Sequence, residues 1–208
     1  MILETVVVGE LKVNCYILAE SEGAQAVIID PGSDYKKIAK ALAGHRLSPG
    51  IVINTHGHLD HIAADAEFKA PVYIHKFDLG MLTDPVRNLS NFFGTSFSIA
   101  EGTKIVTFQD NEEIIFGKIK FQVLHTPGHT PGGVCFFLEF EGKKLLFSGD
   151  SLFYRSIGRS DLPGANEWAL INAIRNKLLV LPAETLVYPG HGPSSTIGEE
   201  IKNNPFLN

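Results

Sequence analysis

The chain has 208 residues, of which 44% are hydrophobic and 20% are charged. At this length, folding buries about 70% of the surface of the unfolded chain, which is enough for a core without disulfide bonds. These values exclude a disordered chain and a disulfide-dependent miniprotein. The formal net charge of -5 at pH 7 argues against a dedicated nucleic-acid-binding protein, which normally carries a basic face.

The sequence also predicts where the protein is found. No apolar run approaches the roughly 20 residues that a membrane-spanning helix needs. The N-terminal segment lacks a basic region and is interrupted by Glu4 and Glu10, so we expect no secretory signal and predict a cytoplasmic protein. Cys15 and Cys135 both lie in apolar, strand-like runs. They are predicted to be small buried hydrophobic residues, not a disulfide pair.

The first half of the chain is predicted to contain short strands and two helices. The strands are Ile2–Val8, Val13–Ala19, Ala26–Ile29, Gly50–Asn54 and Pro71–Ile74. The sequence Asp30-Pro31-Gly32-Ser33 ends the third strand, and Ser33 is the predicted N-cap of the helix that follows. A second helix is predicted from Leu59 to Phe68, directly after a histidine-rich loop.

A segment without a clear period, Asp84–Ala100, separates the two halves and carries three phenylalanines. A loop of this length is often functional, and packing as its own small cluster is the alternative. The second half repeats the strand pattern and has one helix, near Asn166–Val180. Its strands are predicted at Lys104–Phe108, Glu113–Phe116, Lys118–Leu124, Gly133–Phe140, Lys143–Phe147 and Thr185–Tyr188. Two such halves predict two sheets packed face to face and covered by helices, in a single domain over residues 1–208.

Five of the eight histidines fall in short clusters, each at the predicted end of a strand. The densest cluster is the sequence THGHLDH at residues 55–61. His56 and His58 are two positions apart in extended backbone, so their side chains point to the same side. Asp60 and His61 lie at the turn into the next predicted helix, from which they can face a second point nearby.

Three further motifs each present one ligand-type side chain after a strand. They are TPGHT with His129, GDS with Asp150 and PGHG with His191. Each of them alone is explained as well by a capped turn. Together, the four motifs supply imidazole and carboxylate groups without thiolate, a set that suits zinc, iron or manganese.

The motifs HGHLDH, TPGHT, GDS and PGHG, in this order, resemble the metallo-β-lactamase superfamily and, within it, the small proteins similar to glyoxalase II. The resemblance covers nearly the whole chain, including Asp30 in IIDPG and Arg159 in SIGRSDLPG. It implies an α/β (α+β) fold, a four-layer αββα sandwich of two mixed sheets flanked by helices. This expectation agrees with the two-sheet prediction made from the strand pattern.

The resemblance also implies a binuclear metal centre. His56, His58 and His129 would hold the first ion. Asp60, His61 and His191 would hold the second ion, and Asp150 would bridge the two. Zinc is the expected metal, with iron or manganese as alternatives. Relatives that carry out iron redox chemistry have glutamate at the position of His58.

The implied activity is hydrolysis of S-lactoylglutathione or a related acyl thioester, with Asp60 acting both as a ligand and as the group that orients the nucleophile. Two divalent ions lower the pKa of a shared water toward neutrality and polarise the substrate carbonyl. A thiolate, whose conjugate acid has a pKa of about 8.5, leaves with little help. An amide nitrogen needs a proton, so thioester hydrolysis is the easier reaction for these residues.

Three features depart from full-length glyoxalase II enzymes. Those enzymes have a C-terminal helical domain that contacts glutathione, whereas this sequence ends 17 residues after His191. Pro193 and Asp161 stand where those enzymes have tyrosines. Arg159 is predicted either to pair with a substrate carboxylate or to form a salt bridge with Asp161, and Tyr154 is predicted to line the pocket.

Several alternatives remain open at this stage. A persulfide dioxygenase of the same superfamily uses one iron held by the equivalents of His56, His129 and Asp150. A β-lactamase is not expected without an export signal, and a non-catalytic, metal-stabilised binding protein is a remote alternative. The predicted partner is a small-molecule thioester, without nucleic acid or membrane, bound by a monomer or homodimer.

Overall fold

The first of two large sheets is built from the N-terminal half of the chain. The computed structural model describes residues 1–207, and in it six strands form this sheet in chain order. The first three strands are antiparallel neighbours, and the last four run parallel to one another. They are β1 (Ile2–Val8), β2 (Val13–Ala19), β3 (Gln25–Ile29), β4 (Ser48–Ile53), β5 (Val72–His75) and β6 (Ile105–Phe108).

The second sheet is built from the C-terminal half. Its strands are β7 (Glu113–Phe116), β8 (Ile119–His125), β9 (Val134–Phe140), β10 (Lys143–Gly149), β13 (Leu186–Pro189) and β14 (Ser195–Thr196), while β11 (Leu152–Phe153) and β12 (Ser156–Ile157) form a separate ribbon. The order is β14-β13-β10-β9-β8-β7. Strands β8 and β13 both run in the direction of β10. Their carboxyl ends therefore meet at one edge of the sheet.

The helices cover the outer faces of the two sheets, which produces four layers. Helix α1 (Tyr35–Gly44) packs Ile38 and Leu42 onto the first sheet. Helices α3 (Glu167–Ala173) and α4 (Ile197–Asn203) pack onto the second sheet, and the short helix α2 (Leu59–Ile62) follows β4. The buried cluster between the sheets joins side chains of both, including Ile53 and Phe147. The predicted αββα sandwich is confirmed.

Every predicted strand is present, with its ends displaced by at most two residues. The predicted cap of α1 is wrong: the N-cap is Asp34 in a left-handed conformation, one residue later than Ser33. The Asp34 carboxylate does not bond to its own helix, because it accepts a hydrogen bond from the Gly9 backbone at 2.9 Å. A contact distant in sequence has replaced the local cap.

The helix predicted from Leu59 to Phe68 is also wrong in its extent. It is two pieces, α2 and a 3₁₀ turn at Asp65–Phe68. The loop after β3 interrupts the helical hydrogen bonds, since the Gly32 amide donates to the His61 carbonyl at 2.8 Å and the Gly32 carbonyl accepts from Ala64. The break holds the residues of α2 against the Asp30-Pro31-Gly32 loop.

The third predicted helix, Asn166–Val180, begins and ends differently. Asn166 is the N-cap, and its side chain accepts a hydrogen bond from the Ala169 amide at 2.9 Å. After α3 the chain continues as a π-helical segment, Ile174–Leu178. Helix α4 was not predicted, although Thr196 followed by Glu199 is a capping-box pattern and the Thr196 side chain accepts from the Glu199 amide.

Both cysteines are fully buried and unpaired, which confirms their predicted role. Among residues 1–207 no helix is long and apolar enough to cross a membrane.

Asp65 is a buried carboxyl group with few hydrogen bonds. Among residues 1–207 it has one hydrogen-bond partner, the Asn54 amide at 2.6 Å, and its other oxygen has none. Burial raises the pKa of Asp65 well above its usual range. The unfolded chain releases the Asp65 proton as the pH rises above about 3.9, whereas the folded protein keeps that proton to a higher pH. The free energy of unfolding therefore falls as the pH rises through this range.

Replacing Asp65 with asparagine is expected to raise the melting temperature, because the amide has similar size and no charge to bury. The gain over the unaltered protein should be larger at pH 8 than at pH 5, as measured by thermal unfolding followed by circular dichroism. An Asp65→Asn variant that melts lower than the unaltered protein at both pH values would show that the ionised carboxylate is needed here.

Candidate metal centre

Seven ligand-type side chains converge where β4, β8, β10 and β13 end. They are the seven that the sequence predicted, and they form three overlapping groups whose ligand atoms lie within 4.8 Å of one another: His56, His58 and His129; His56, His61 and Asp150; Asp60, His61 and His191. The first sheet contributes the residues of the 56–61 loop, and the second sheet contributes the other three. The structure thus brings all seven together at the junction of the two sheets.

Asp150 lies between the two ends of this cluster. Its Oδ2 is 3.6 Å from His129 Nε2 and 3.5 Å from His191 Nε2. Its Oδ1 is 3.4 Å from His61 Nε2 and has no hydrogen-bond partner. A carboxylate in this position can contact cations held at both ends.

The Asp30 carboxylate lies behind both His56 and His61. Thr55 Oγ1 donates to Asp30 Oδ2 at 2.7 Å, so at 3.1 Å it accepts from the protonated Nδ1 of His56. The His56 ring therefore presents Nε2 to the cluster, in the arrangement that metal-ligating histidines normally show. His61 Nδ1 lies 3.0 Å from the same Asp30 oxygen without a hydrogen bond to it, and His61 Nε2 faces His191 and Asp150.

Backbone carbonyls orient two of the remaining histidines in the same way. His129 Nδ1 donates to the Arg159 carbonyl at 2.8 Å, and His191 Nδ1 donates to the Leu11 carbonyl at 3.0 Å. A carbonyl oxygen only accepts, so each Nδ1 carries the proton. Each Nε2 is left as a free lone pair that faces the cluster.

One distance in the cluster matches that between two ligands of a zinc ion. The His56 Nε2 atom is buried without a partner among the described residues. His58 Nδ1 and His129 Nε2 are 2.9 Å apart, which is a hydrogen-bond distance. His61 Nε2 and His191 Nε2 are 3.4 Å apart, which matches the edge of about 3.3–3.4 Å expected for a tetrahedron with zinc–nitrogen distances of about 2.0–2.1 Å.

The electrostatics of the cluster differ at its two ends. Burial and the neighbouring imidazoles lower the pKa of His56 well below its usual value, and they lower the pKa of His58 to about 3. These rings are neutral, as a metal ligand must be. The first end thus presents neutral nitrogen lone pairs.

The other end combines carboxylates with imidazoles. Burial alone lowers the pKa of His191, but Asp150 and Asp60 more than offset it and raise the pKa to about 10. Burial likewise acts against the shift of Asp150, whose pKa the nearby His61 and His191 hold well below its usual range. This end attracts positive charge, which protons supply when no metal ion is bound.

Asp78 is a buried carboxylate that ties two ligand loops together, and the sequence analysis did not identify it. It accepts hydrogen bonds from Thr130 Oγ1 at 2.7 Å, from the Gly132 amide at 2.6 Å and from the Gly57 amide at 3.2 Å. Gly57 lies between two ligand histidines, and Thr130 follows His129. Asp78 therefore positions ligands that are more than 70 residues apart in sequence.

Backbone contacts bring the last ligand loop against the first sheet. Val13 and His191 form an isolated bridge, and the Asn14 amide donates to the Gly190 carbonyl at 2.8 Å. Gly190 must lack a side chain, because a Cβ there would collide with Asp150 Oδ1 and His61. These contacts fix His191 near residues of the opposite end of the chain.

The two predicted substrate residues lie outside the cluster. Arg159 Nε and Nη2 each donate to the Asp161 carboxylate at 2.9 Å, so the side chain makes the predicted salt bridge. The backbone carbonyl of Arg159 accepts from His129 Nδ1 and so orients that ring. The Tyr154 ring is 42% exposed and lies 5.0 Å below the Arg155 guanidinium. Contacts with a substrate remain predictions for both residues.

Comparison with known proteins agrees with the geometry. Residues 8–191 match the model of the metallo-β-lactamase superfamily. The chain is 36% identical to the probable metallo-hydrolase YqgX of Bacillus subtilis over 97% of this chain and 95% of that protein. It is 34% identical to the hydroxyacylglutathione hydrolase GloC of Haemophilus influenzae over 100% of this chain and 99% of that protein.

Two solved structures are similar over the full length. The crystal structure of the BLEG-1 B3 metallo-β-lactamase has a TM-score of 0.91 and 38% identity, covering 100% of both chains. The structure of TTHA1623 in a di-iron-bound form has a TM-score of 0.85 and 37% identity, covering 98% of this chain and 100% of that one. The fold, the ligand cluster and these similarities together show that the chain belongs to the metallo-β-lactamase superfamily.

Proposed function

We propose that the protein is a metal-dependent hydrolase of acyl thioesters, with S-lactoylglutathione or a related thioester as its substrate. The observation that carries the proposal is the position of Asp150, which lies within 3.6 Å of ligand nitrogens at both ends of the cluster. This arrangement supports two ions held side by side. The similarity to GloC, which is described as a hydroxyacylglutathione hydrolase, supports the substrate class.

His56, His58 and His129 would hold one divalent ion, and Asp60, His61 and His191 would hold the other, with Asp150 shared. Two such ions supply a hydroxide nucleophile at neutral pH and polarise the carbonyl that it attacks. Zinc is the metal that we propose, because the ligands are imidazole and carboxylate and the 3.4 Å between His61 Nε2 and His191 Nε2 matches a tetrahedral edge. Iron is tested as well, because the chain is similar to a structure in a di-iron-bound form.

Asp60 is the proposed catalytic residue. Its Oδ2 is 3.3 Å from His191 Nε2 and 3.7 Å from His61 Nε2, and its side chain is 21% exposed. Burial raises the pKa of Asp60, but His61 and His191 more than offset this and lower it below the usual value. At neutral pH the carboxylate is therefore ionised and accessible. It can accept a hydrogen bond from the attacking water and orient it.

The leaving group favours a thioester over a β-lactam. A thiolate with a conjugate acid of pKa about 8.5 departs unaided near neutral pH. A β-lactam nitrogen needs a proton donor, and the two carboxylates of the cluster have pKa values held low by the histidines beside them. The likeness to the BLEG-1 lactamase makes β-lactam hydrolysis the second candidate.

The test uses the full chain loaded separately with zinc, manganese and iron, with metal content measured. Loss of thioester absorbance from S-lactoylglutathione is the first assay. We expect turnover that falls by at least about 100-fold in Asp60→Asn, a size typical of losing one group that acts on the transition state. The control is Glu184→Gln, which removes a surface carboxylate paired only with Lys144.

Three further outcomes would contradict the proposal. Hydrolysis of the chromogenic cephalosporin nitrocefin, faster than that of any thioester, would make the protein a β-lactamase. Oxygen uptake with glutathione persulfide by the iron form, without thioester hydrolysis, would make it a persulfide dioxygenase. Loaded protein that turns over none of these substrates would favour the non-catalytic binding protein.

A further inference from the structure

A cavity of about 410 Å³ lies beside the second end of the ligand cluster. Three segments form its walls: the turn between β1 and β2, the start of α2, and the aromatic loop, which we define as residues 92–97. Asp60 is one of its lining residues. Leu11 is another, and its carbonyl is the group that orients His191. The cavity therefore borders the residue proposed to orient the attacking water.

Most of the cavity wall is apolar. Val8, Val13 and Leu59 line it from the body of the protein, and Phe93 and Phe97 line it from the aromatic loop. Phe97 also packs against the buried cluster of Ile62, Ile74 and Leu82. Phe93 is 55% exposed and covers the outer part. Such a wall binds apolar groups by removing their surface from water.

The aromatic loop is attached to the same short helix that carries Asp60. The Leu59 amide donates to the Asn88 carbonyl at 2.9 Å. The Asn88 side chain donates in turn to the carbonyl of Phe97 at 3.1 Å. These bonds make the loop a fixed wall of the cavity.

The charges at the cavity are all negative. Glu10 and Asp60 line it, and the described lining residues include no lysine or arginine. The arginines that flank the ligand cluster in sequence are engaged elsewhere, Arg155 with Glu199 and Arg159 with Asp161. Asp60 would hold a divalent ion in the proposed function, so Glu10 is the described lining residue that repels a negatively charged group, and no lysine or arginine of the lining would pair with that group.

We propose that this cavity binds the acyl chain of the substrate and selects an uncharged, apolar chain longer than lactoyl. This inference rests on the thioester hydrolysis proposed above. Glutathione carries two carboxylates for which the described lining has no lysine or arginine, so the proposal places the carrier thiol outside the cavity. A lactoyl group has five non-hydrogen atoms and fills roughly 150 Å³ at about 30 Å³ for each water-sized group. The remaining space accommodates several more methylene groups.

Glu10 determines the charge preference in this arrangement, and Phe93 determines the preference for chain length. Each methylene group buried in the cavity is expected to increase kcat/KM about fourfold, until the cavity is filled. A carboxylate at the far end of the same chain should remove that gain, because it would leave water for a mostly apolar wall whose described lining has no lysine or arginine.

The kinetic test compares S-lactoyl-, S-butyryl- and S-hexanoylglutathione with S-adipoylglutathione, which has the length of the hexanoyl compound and a terminal carboxylate. We expect hexanoyl to be the best substrate and adipoyl to be at least about tenfold poorer. In Phe93→Ala, kcat/KM should increase less with each added methylene group than in the unaltered protein. Phe92→Ala is the matched control, since Phe92 lies in the same loop, is 73% exposed and does not line the cavity. In Glu10→Gln, the ratio of kcat/KM for the hexanoyl compound to kcat/KM for the adipoyl compound should be smaller than in the unaltered protein.

A binding measurement separates this inference from the proposed function. S-hexylglutathione and S-methylglutathione are thioethers that cannot be hydrolysed, and calorimetric titration of the metal-loaded protein measures their affinity. Tighter binding of the hexyl compound, lost in Phe93→Ala and kept in Phe92→Ala, supports the inference even if no thioester is turned over. Equal affinities, or hydrolysis of thioesters at rates independent of chain length, would overturn it while leaving the proposed function intact.

Discussion

Replacing His61 with alanine is expected to reduce the bound metal from two ions to one per chain and to abolish thioester hydrolysis. His61 Nε2 lies 3.4 Å from both His191 Nε2 and Asp150 Oδ1, and its Nδ1 lies 3.0 Å from Asp30 Oδ2. Its loss removes a ligand from the second group and leaves the first group of three histidines complete. We expect activity to fall more than about 100-fold, since even partners outside the ligand set cost 10–100-fold.

Metal content by mass spectrometry and turnover of the loaded protein measure the two effects separately. The matched control is His45→Ala, because His45 pairs with Glu4 on the surface and lies outside the cluster. Circular dichroism shows whether the variant is folded. A His61→Ala variant with one ion and most of its activity would contradict a two-metal mechanism, and it is the result expected of a one-iron dioxygenase.

Replacing Asp78 with alanine is expected to reduce the free energy of unfolding by about 3–5 kcal/mol, because three buried donors lose their acceptor and each unsatisfied group costs about 1–3 kcal/mol. Burial raises the pKa of Asp78, and the three hydrogen bonds oppose that effect. Since the carboxylate joins the loops of His56, His58 and His129, metal affinity should also fall by about 10–100-fold.

Urea denaturation measures the stability change, and titration with zinc against a chelating indicator measures the affinity. Asp84→Ala is the control, since Asp84 accepts only from the nearby Val86 and Arg87 amides, and its loss should cost about 1 kcal/mol or less. Asp78→Asn keeps one accepting oxygen, so its loss of unfolding free energy should lie between the losses of Asp78→Ala and Asp84→Ala. Equal destabilisation by Asp78→Ala and Asp84→Ala would show that Asp78 does not hold the loops together.

The strands and the ligand-type side chains were predictable because both depend on local sequence. Apolar runs of four to seven residues identify the longer strands, and each of the four motifs begins at or just after the end of such a run. Asp150 is an example, since it leaves the apolar strand β10 at a glycine with φ of +47°. The convergence of three motifs at one edge follows from the parallel relation of β8, β10 and β13, while the fourth motif follows β4 of the first sheet.

The parts that could not be predicted depend on contacts distant in sequence. The Asp34 side chain bonds Gly9 and not its own helix, and Gly32 interrupts the helix after His61. Asp78 has no motif around it, and the carbonyls of Leu11 and Arg159 have no side-chain signal at all. Groups that orient the ligands are therefore visible only once the fold brings them to the site.

The bridge between Val13 and His191 has a consequence for how the site arises during protein synthesis. The three histidines of the first group all precede β9 in the chain, whereas the second group needs His191 and the backbone of β2 against which it lies. Residue 191 must therefore leave the ribosome before the second group can form, whereas all residues of the first group have been synthesised by residue 129. Assembly of the second group is thus coupled to the contact between strand β2 and the loop after β13.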